Sequence, residues 1–340
     1  LALYDASGNE VAFGDDFKCS VDPVVYYEAP ADGEYVLEIK DALYRGREDF
    51  VYRIAVGEVP FVTGIFPMGA REGESGPVEI RGWNLTQARF TPEVGAGAGI
   101  QEVALPGTGV GWNGLPFAVD ALPECGEQEP NNDVGSAQRV MVPVVVNGRI
   151  GETGDWDVYR IAGRAGAEII AGVWARRLNS PMDSVVKFLA PNGKEMSSND
   201  DNEDRGQGLE THHADSRLKL RIPANGTYYL RVGDTQRHGG EEYAYRLRVS
   251  QPEPDFGLRV VPSSVNGRAG ASVPLTVYAL RRDGFSGSID LSLKDPPAGF
   301  RLSGGKIPAG EDKLRLTLTM PDAPSPLPVR LEMEGRATIQ

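Results

Sequence analysis

Apolar and polar residues alternate with a period of two through most of this chain. In SRLKLRI, Leu218, Leu220 and Ile222 fall on one parity, while Arg217, Lys219 and Arg221 fall on the other. In TYYLRV, Tyr228, Leu230 and Val232 share a parity; in YAYRLRV, so do Tyr243, Tyr245, Leu247 and Val249. Successive side chains of a β-strand point to opposite faces, so each run predicts a strand with one face in a core. From Leu258, the runs LRVVP, SVPLTVYAL, GSIDLSLKD, DKLRLTLTM and PVRLEMEG continue the pattern at the short spacing of an immunoglobulin-like sandwich. The turns PANGTY and PADGEY carry Asn-Gly and Asp-Gly, which tolerate positive φ. No segment has a helical period. The predicted fold class is all-β, a tandem of antiparallel β-sandwich domains, jelly-roll-like and immunoglobulin-like.

The pattern also repeats. LALYDASGNEVAFGDD from Leu1 matches VKFLAPNGKEMSSNDD from Val186, a separation of 185 positions. VDPVVYYEAPADGEYVLEIKD from Val21 matches ADSRLKLRIPANGTYYLRVGD from Ala214, and RGREDFVYRIAV matches HGGEEYAYRLRV, both at a separation of 193. A constant register over this length points to duplicated domains. The second copy has a stretch in front of its matching region, from near Glu127, that the first lacks. The chain is therefore expected to be an internal fragment that opens halfway through its first copy, with core surface of that half exposed. The predicted domains are 1–58 (half copy), 59–123, 124–252 (complete copy) and 253–340.

With 42 glycines and 25 prolines spread between strands, the composition is that of short strands and turns. A formal charge of −13 disfavours nucleic acid as a partner, because phosphate binding needs a basic surface. Two cysteines, Cys19 and Cys125, exclude a disulfide framework and a cysteine-rich zinc site; one bridge or two free thiols remain open. The longest apolar run, VMVPVVV, is too short to span a bilayer.

Oxygen-rich side chains gather in two places. EQEPNND offers Glu127, Glu129, Asn131, Asn132 and Asp133 in one proline-stiffened stretch, and GDWDVY offers Asp155 and Asp157, two residues apart on a predicted strand. Calcium takes six to eight oxygen ligands from such groups; the alternative is a capped linker with solvated carboxylates. A second group, Asp183, Asp200, Asp201, Asp204 and Asp215, has an echo in Asp15, Asp16 and Asp22 of the first copy. Its two readings are turn-capping and a second cation. His212 and His213 beside it lack the further ligands zinc needs. Arg217, Lys219, Arg221, Arg231, Arg246 and Arg248 share the outward parity of three strands, either as a docking patch for an acidic polysaccharide or protein surface or as a solvated face. Trp83, Trp112 and Trp174 read as packing residues. There is no HExxH helix and no nucleophile elbow, and His212, His213 and His238 stand in no triad-like setting. No catalysis is expected within the chain.

The repeated unit resembles the bacterial pre-peptidase C-terminal (PPC) domain, through EQEPNNDVGSAQ from Glu127, GDWDVYRI from Gly154, the NDD after a Gly turn and PANGTYYLRV. The likeness covers about Glu127–Ser250, and about Leu1–Val56 in the half copy. VTGIFPMGAREGESGPVEIRGWNL is similar to an IPT/TIG immunoglobulin-like domain. The combination, with ARRLNSPMDS, THHADSRL and RRDGFSGSIDLSL, resembles large secreted or envelope proteins of planctomycete-type bacteria. The PPC resemblance implies a secreted, periplasmic or cell-surface β-sandwich module that aids secretion, stability or substrate attachment. Relatives flank secreted proteases, some bind collagen, and several bind calcium. It implies calcium as cofactor, held by Glu127, Glu129, Asn131, Asn132, Asp155 and Asp157 with Tyr159 nearby. Asn132 departs from the Asp of many relatives, which implies weaker affinity. The implied role is structural, adhesive or substrate-attaching, towards an extracellular protein or polysaccharide. The alternatives are the accessory C-terminal region of a secreted protease and a carbohydrate-binding module.

Overall fold

The computed structural model describes residues 1–339 apart from residues 19, 49, 75, 105–113, 203–213 and 326. Among the described residues the regular elements are β-strands, with one short 3-10 turn at Arg176–Leu178. The chain is all-β, as its period-two pattern predicts. It divides into two compact units, one of residues 1–202 with 214–250, the other built on residues 251–340. No helix among the described residues is long and apolar enough to cross a membrane.

Residues 1–58 form one small sheet in the order β2-β1-β3, from β1 (Ala2–Tyr4), β2 (Glu10–Phe13) and β3 (Val36–Glu38). Residues 61–120 form two three-stranded sheets. One is β4 (Phe61–Phe66), β6 (Val78–Trp83) and β7 (Arg89–Phe90); the other is β5 (Gly69–Arg71), β9 (Leu115–Asp120) and β8 (Gly99–Val103). Val62, Ile65, Val78, Ile80, Phe90 and Phe117 are among the side chains of their shared core.

Residues 124–250 form two five-stranded sheets. The first runs β10 (Glu124–Gly126), β12 (Val144–Arg149), β19 (Ala244–Ser250), β14 (Glu168–Trp174), β17 (Arg217–Arg221). The second runs β11 (Gln138–Arg139), β13 (Asp157–Gly163), β18 (Gly226–Asp234), β15 (Ser184–Leu189), β16 (Glu195–Asn199). Alternation decides what lies between them. Tyr159 and Ile161, Leu218 and Leu220, Tyr228, Leu230 and Val232, and Tyr245, Leu247 and Val249 all point into one core. The pairing departs from the expected antiparallel pattern at the edges, where β10 runs parallel to β12 and β11 parallel to β13.

The small first sheet uses the same pairs as part of this second one. Ala2 pairs with Phe13 and Glu38, Leu3 with Ala12 and Leu37, Tyr4 with Glu10 and Val36. Shifted by 185 and 193 positions, these are the pairs of Lys187 with Ser198 and Arg231, Phe188 with Ser197 and Leu230, and Leu189 with Glu195 and Tyr229. The irregularity between Leu3 and Tyr4 recurs between Phe188 and Leu189. The rest of the match does not become strands: VVYY and FVYRIAV of the first copy have no regular pairing. Their counterparts β17 and β19 pair with β12 and β14, which have no equivalents in residues 1–58. A strand without a neighbour leaves its N–H and C=O groups unpaired, so the pattern alone does not make one. Val51 and Tyr52 stand 86% and 68% exposed there.

The 59–123 and 124–250 segments join through a polar seam over apolar packing. Leu178, Ala244 and Trp174 pack into the cluster that holds Val62, Met68 and Phe117. Arg246, 2% exposed, bonds Glu124 at 2.5 and 3.3 Å and Asn147 at 2.7 Å. Its guanidinium lies against Gly69, where an added Cβ would come within 2.5 Å of Cζ and closer still to Ala118 O. Arg248 pairs with Asp120 at 2.8 Å; Arg149 lies 3.7 Å over the Phe66 ring and pairs with Glu79.

The second unit packs β20 (Asp255–Val261), β21 (Ser272–Arg282), β25 (Lys313–Thr319) and β23 (Arg301–Ser303) with β24 (Lys306–Ile307), β22 (Ile289–Lys294) and β26 (Glu332–Arg336). Val277, Ile289, Ile307, Leu316 and Leu318 centre its core.

Candidate metal centre

Asp157 opens β13 on the same parity as Tyr159 and Ile161, so its carboxylate points into the sandwich and is fully buried. A carboxylate there is costly unless it is paired, protonated or bound to a cation. Glu127 reaches it from the segment after β10, whose position is fixed by the parallel pairing with β12 and by the bond from Glu127 N to Asn147 O. Glu129 follows from the same stretch. One oxygen from each of Glu127, Glu129 and Asp157 lies within 4.8 Å of the others, and the three grade from buried Asp157 to exposed Glu129. The centre is thus open on one side.

The Asn131 side-chain amide, with no exposed surface, lies against these carboxylates. Its Oδ1 lies 3.0 Å from Asp157 Oδ1 and 3.3 Å from Glu129 Oε2, while its Nδ2 donates to Glu127 Oε1 at 3.4 Å. Oxygens that face each other with no proton between them call for a cation, or for the amide turned over so that its N–H groups meet both carboxylates. No Lys or Arg side chain pairs with Glu127, Glu129 or Asp157 among the described residues. Backbone does part of the work: Arg149 N donates to Glu127 Oε2 at 2.8 Å and Asn131 N to Glu129 Oε2 at 2.9 Å.

Beneath the carboxylates lie two buried tyrosines. Tyr245 donates to Asp157 Oδ2 at 2.6 Å, and the Tyr159 and Tyr245 hydroxyls meet at 2.5 Å. Tyr245 therefore occupies one oxygen of Asp157 and leaves Oδ1 towards Asn131 and Glu129. Burial first, then the hydrogen bond and charge of Glu127, push the Asp157 carboxyl up to about 10. Burial raises Glu127 as well and drives both tyrosines well above the usual phenol range. The donor set is all oxygen, which suits a hard cation such as calcium and not a thiolate-seeking metal. Cys125 is a free, half-buried thiol packed against the core, its pKa raised by burial. Its suggested partner Cys19 lies outside the described residues.

No family model matches the chain, and no curated protein matches it. Among solved structures, the pre-peptidase C-terminal domain of a collagenase from Bacillus anthracis is similar at 15% identity and a TM-score of 0.27. That match covers 36% of this chain and 100% of the other.

Of the six ligands expected from sequence, the structure brings Glu127, Glu129, Asn131 and Asp157 together. Asp155 is not among the converging carboxylates. The strand begins at Asp157, and Asp155 sits in the turn before it, accepting Gly151 N and Trp156 N at 2.8 Å each. Asn132 is exposed and accepts Asn131 N at 3.2 Å, a turn contact.

The second acidic group does not converge among the described residues. Asp215, fully buried, accepts the N–H groups of Ala175, Arg176 and Arg177 and pairs with Arg177 Nε, so it holds the 3-10 turn. Asp183 accepts the Thr235 hydroxyl at 2.7 Å; Asp200 and Asp201 are exposed. Asp204, His212 and His213 lie outside the described residues, as does Trp112. Asp234, which sequence reasoning missed, accepts Gln236 N and His238 N, and Asp41 caps Arg45 N at the matching place in the first copy. The shared Asp at the end of EIKD and RVGD was the available signal.

The expected basic patch is also corrected. Arg246 and Arg248 point outward from their own sheet, but into the seam with residues 59–123. Arg231 lies on the other sheet, and Lys219 pairs with Glu168 at 3.2 Å. Arg217, Lys219 and Arg221 on β17 share the outward parity of that sheet with Arg246 and Arg248, so five of the six lie on one face, two of them in the seam, and Arg231 lies apart.

Proposed function

We propose that this chain is a non-catalytic accessory region of an exported protein, in which the Glu127–Glu129–Asn131–Asp157 centre takes a calcium ion that stabilises the 124–250 sandwich for a structural, adhesive or substrate-attachment role. The observation that carries the reading is the fully buried Asp157 carboxylate facing two further carboxylates, with the Asn131 amide against them. A divalent cation compensates charge there that no basic side chain among the described residues meets. Opening of the centre at Glu129 gives an ion a route from solvent. Extracellular calcium modules work at 10⁻⁴–10⁻³ M calcium, which suits a site with few protein ligands completed by water.

Calcium at about a hundredfold excess over its Kd is expected to stabilise the unit by about 2.7 kcal/mol. For a unit of this size that is a Tm rise of about 5–10 °C. Thermal melting with calcium, then with excess EDTA, checks it, and Asp157→Ala should abolish the response. A melting curve indifferent to both additions sinks the calcium reading. Fractionation of cells producing the full-length protein tests export; a purely cytoplasmic pool would contradict it.

A further inference from the structure

The outward face of the β11-β13-β18-β15-β16 sheet carries a charge pattern that the core does not require. Tyr159 and Ile161 point inward from β13, so Arg160 points out, and it is exposed. Its in-register neighbours are Arg139 on β11 and Tyr229 on β18. One row along, Arg231 on β18 stands beside Lys187 on β15. The Trp156 ring lies beneath that pair, 4.2 Å from Arg231 Cζ and 5.6 Å from Lys187 Nζ, and rests against Gly233, where a Cβ would meet the ring at 2.7 Å. Four cations thus crowd one face of a chain whose net charge is −13. Glu195 offsets Lys187 at 2.9 Å, but among the described residues Arg139, Arg160 and Arg231 are in no ion pair. Arg231 Nε is buried and without a hydrogen-bond partner.

The fold itself does not demand these residues. At the matching positions of the first copy, Lys187, Tyr229 and Arg231 are replaced by Ala2, Val36 and Glu38, in the same sheet register. The basic character belongs to the second copy alone.

We propose that this face binds a linear acidic polysaccharide, of uronate or sulfated sugars, with its acid groups on Arg139, Arg160, Arg231 and Lys187 and a sugar ring against Tyr229. Guanidinium forks match carboxylate and sulfate in bidentate fashion. Adjacent strands about 4.8 Å apart hold Arg139 beside Arg160 and Arg231 beside Lys187, two cation pairs on one face. An amphipathic tyrosine on the outward side of a central strand suits a pyranose better than a peptide strand, which would seek a sheet edge.

The test uses the full chain with hyaluronan and chondroitin sulfate as probes, dextran as neutral control and polyglutamate as acidic-protein control. Binding to at least one of the acidic glycans at low salt is expected, weakened by added salt, with none to dextran. The double substitution R139E/R160E should weaken it by about tenfold or more. Tyr229→Ala should weaken glycan binding as well, and Arg221→Glu, on the other sheet, should leave it intact. All four positions lie on strand faces outside the core, and melting curves verify folding. No glycan binding, or full binding by R139E/R160E, overturns the proposal. So does polyglutamate binding of equal strength that is insensitive to Tyr229→Ala, which would assign the face to an acidic protein.

Discussion

Arg246→Ala is expected to cost about 3–5 kcal/mol, the penalty for stripping one partner from a buried ion pair. Arg246 is 2% exposed, and its guanidinium is divided between the Glu124 carboxylate and Asn147. Truncation leaves Glu124 charged and mostly shielded, Asn147 Oδ1 without its donor, and a void beside Gly69. Denaturant unfolding of the wild type, R246A, E124A and the double variant would measure the pair directly. The double variant should fall less than the sum of the two single losses, since neither charge is then left alone. Strict additivity would mean that the pair contributes nothing. Gly69→Ala should act on the same seam, because the new methyl displaces the guanidinium and collides with Ala118 O.

The second large effect is a dependence on pH. Asp157 keeps its proton in the folded, cation-free chain up to about 10, against 3.8 for a free side chain. Between those values the folded state holds a proton that the unfolded state has released. The contribution of this group is complete at about pH 4 and below, and it declines as pH rises towards 10. In EDTA, Asp157→Asn should therefore melt above the wild type, by a margin that widens from pH 5 to pH 9. At the alkaline end the difference should reach several kcal/mol, the scale of an uncompensated buried charge. Calcium should invert the ranking, because it competes with the proton and stabilises the carboxylate form, while the Asn variant gains nothing. A Tm difference that is flat across this range in EDTA would refute the buried-charge account.

The sequence carried the strands and their inward faces, because a period of two ties each side chain to one side of a sheet. Leu218, Leu220, Tyr228, Leu230, Tyr245 and Leu247 lie in the core that this parity predicts. Parity does not say what covers the other side. Arg246 and Arg248 point outward, as read, but towards a neighbouring pair of sheets and not towards water. Nor does it say where a strand starts: a beginning at Asp157 puts that carboxylate with Tyr159 in the interior and leaves Asp155 to a turn. The convergence of Glu127 with Asp157 depends on β10 lying parallel beside β12, a long-range pairing with no local sequence mark. The unpaired runs after Val21 show the reverse case, a sound strand pattern without a partner to realise it.

The placement of β10 and β19 has a mechanical consequence. β10 and β19 flank β12 in antiparallel directions, with Glu124 level with Val145 and Val145 level with Arg248. The chain thus comes in and goes out at the same end of one sheet, two strand spacings or about 10 Å apart. Tension on the two flanks would load the ladder bond by bond, the unzipping mode, instead of shearing it all at once. The Arg246–Glu124 and Arg248–Asp120 pairs straddle β12 at that end. They fasten the incoming segment to the outgoing strand like a buckle, so a pull loads these ion pairs together with the first rungs.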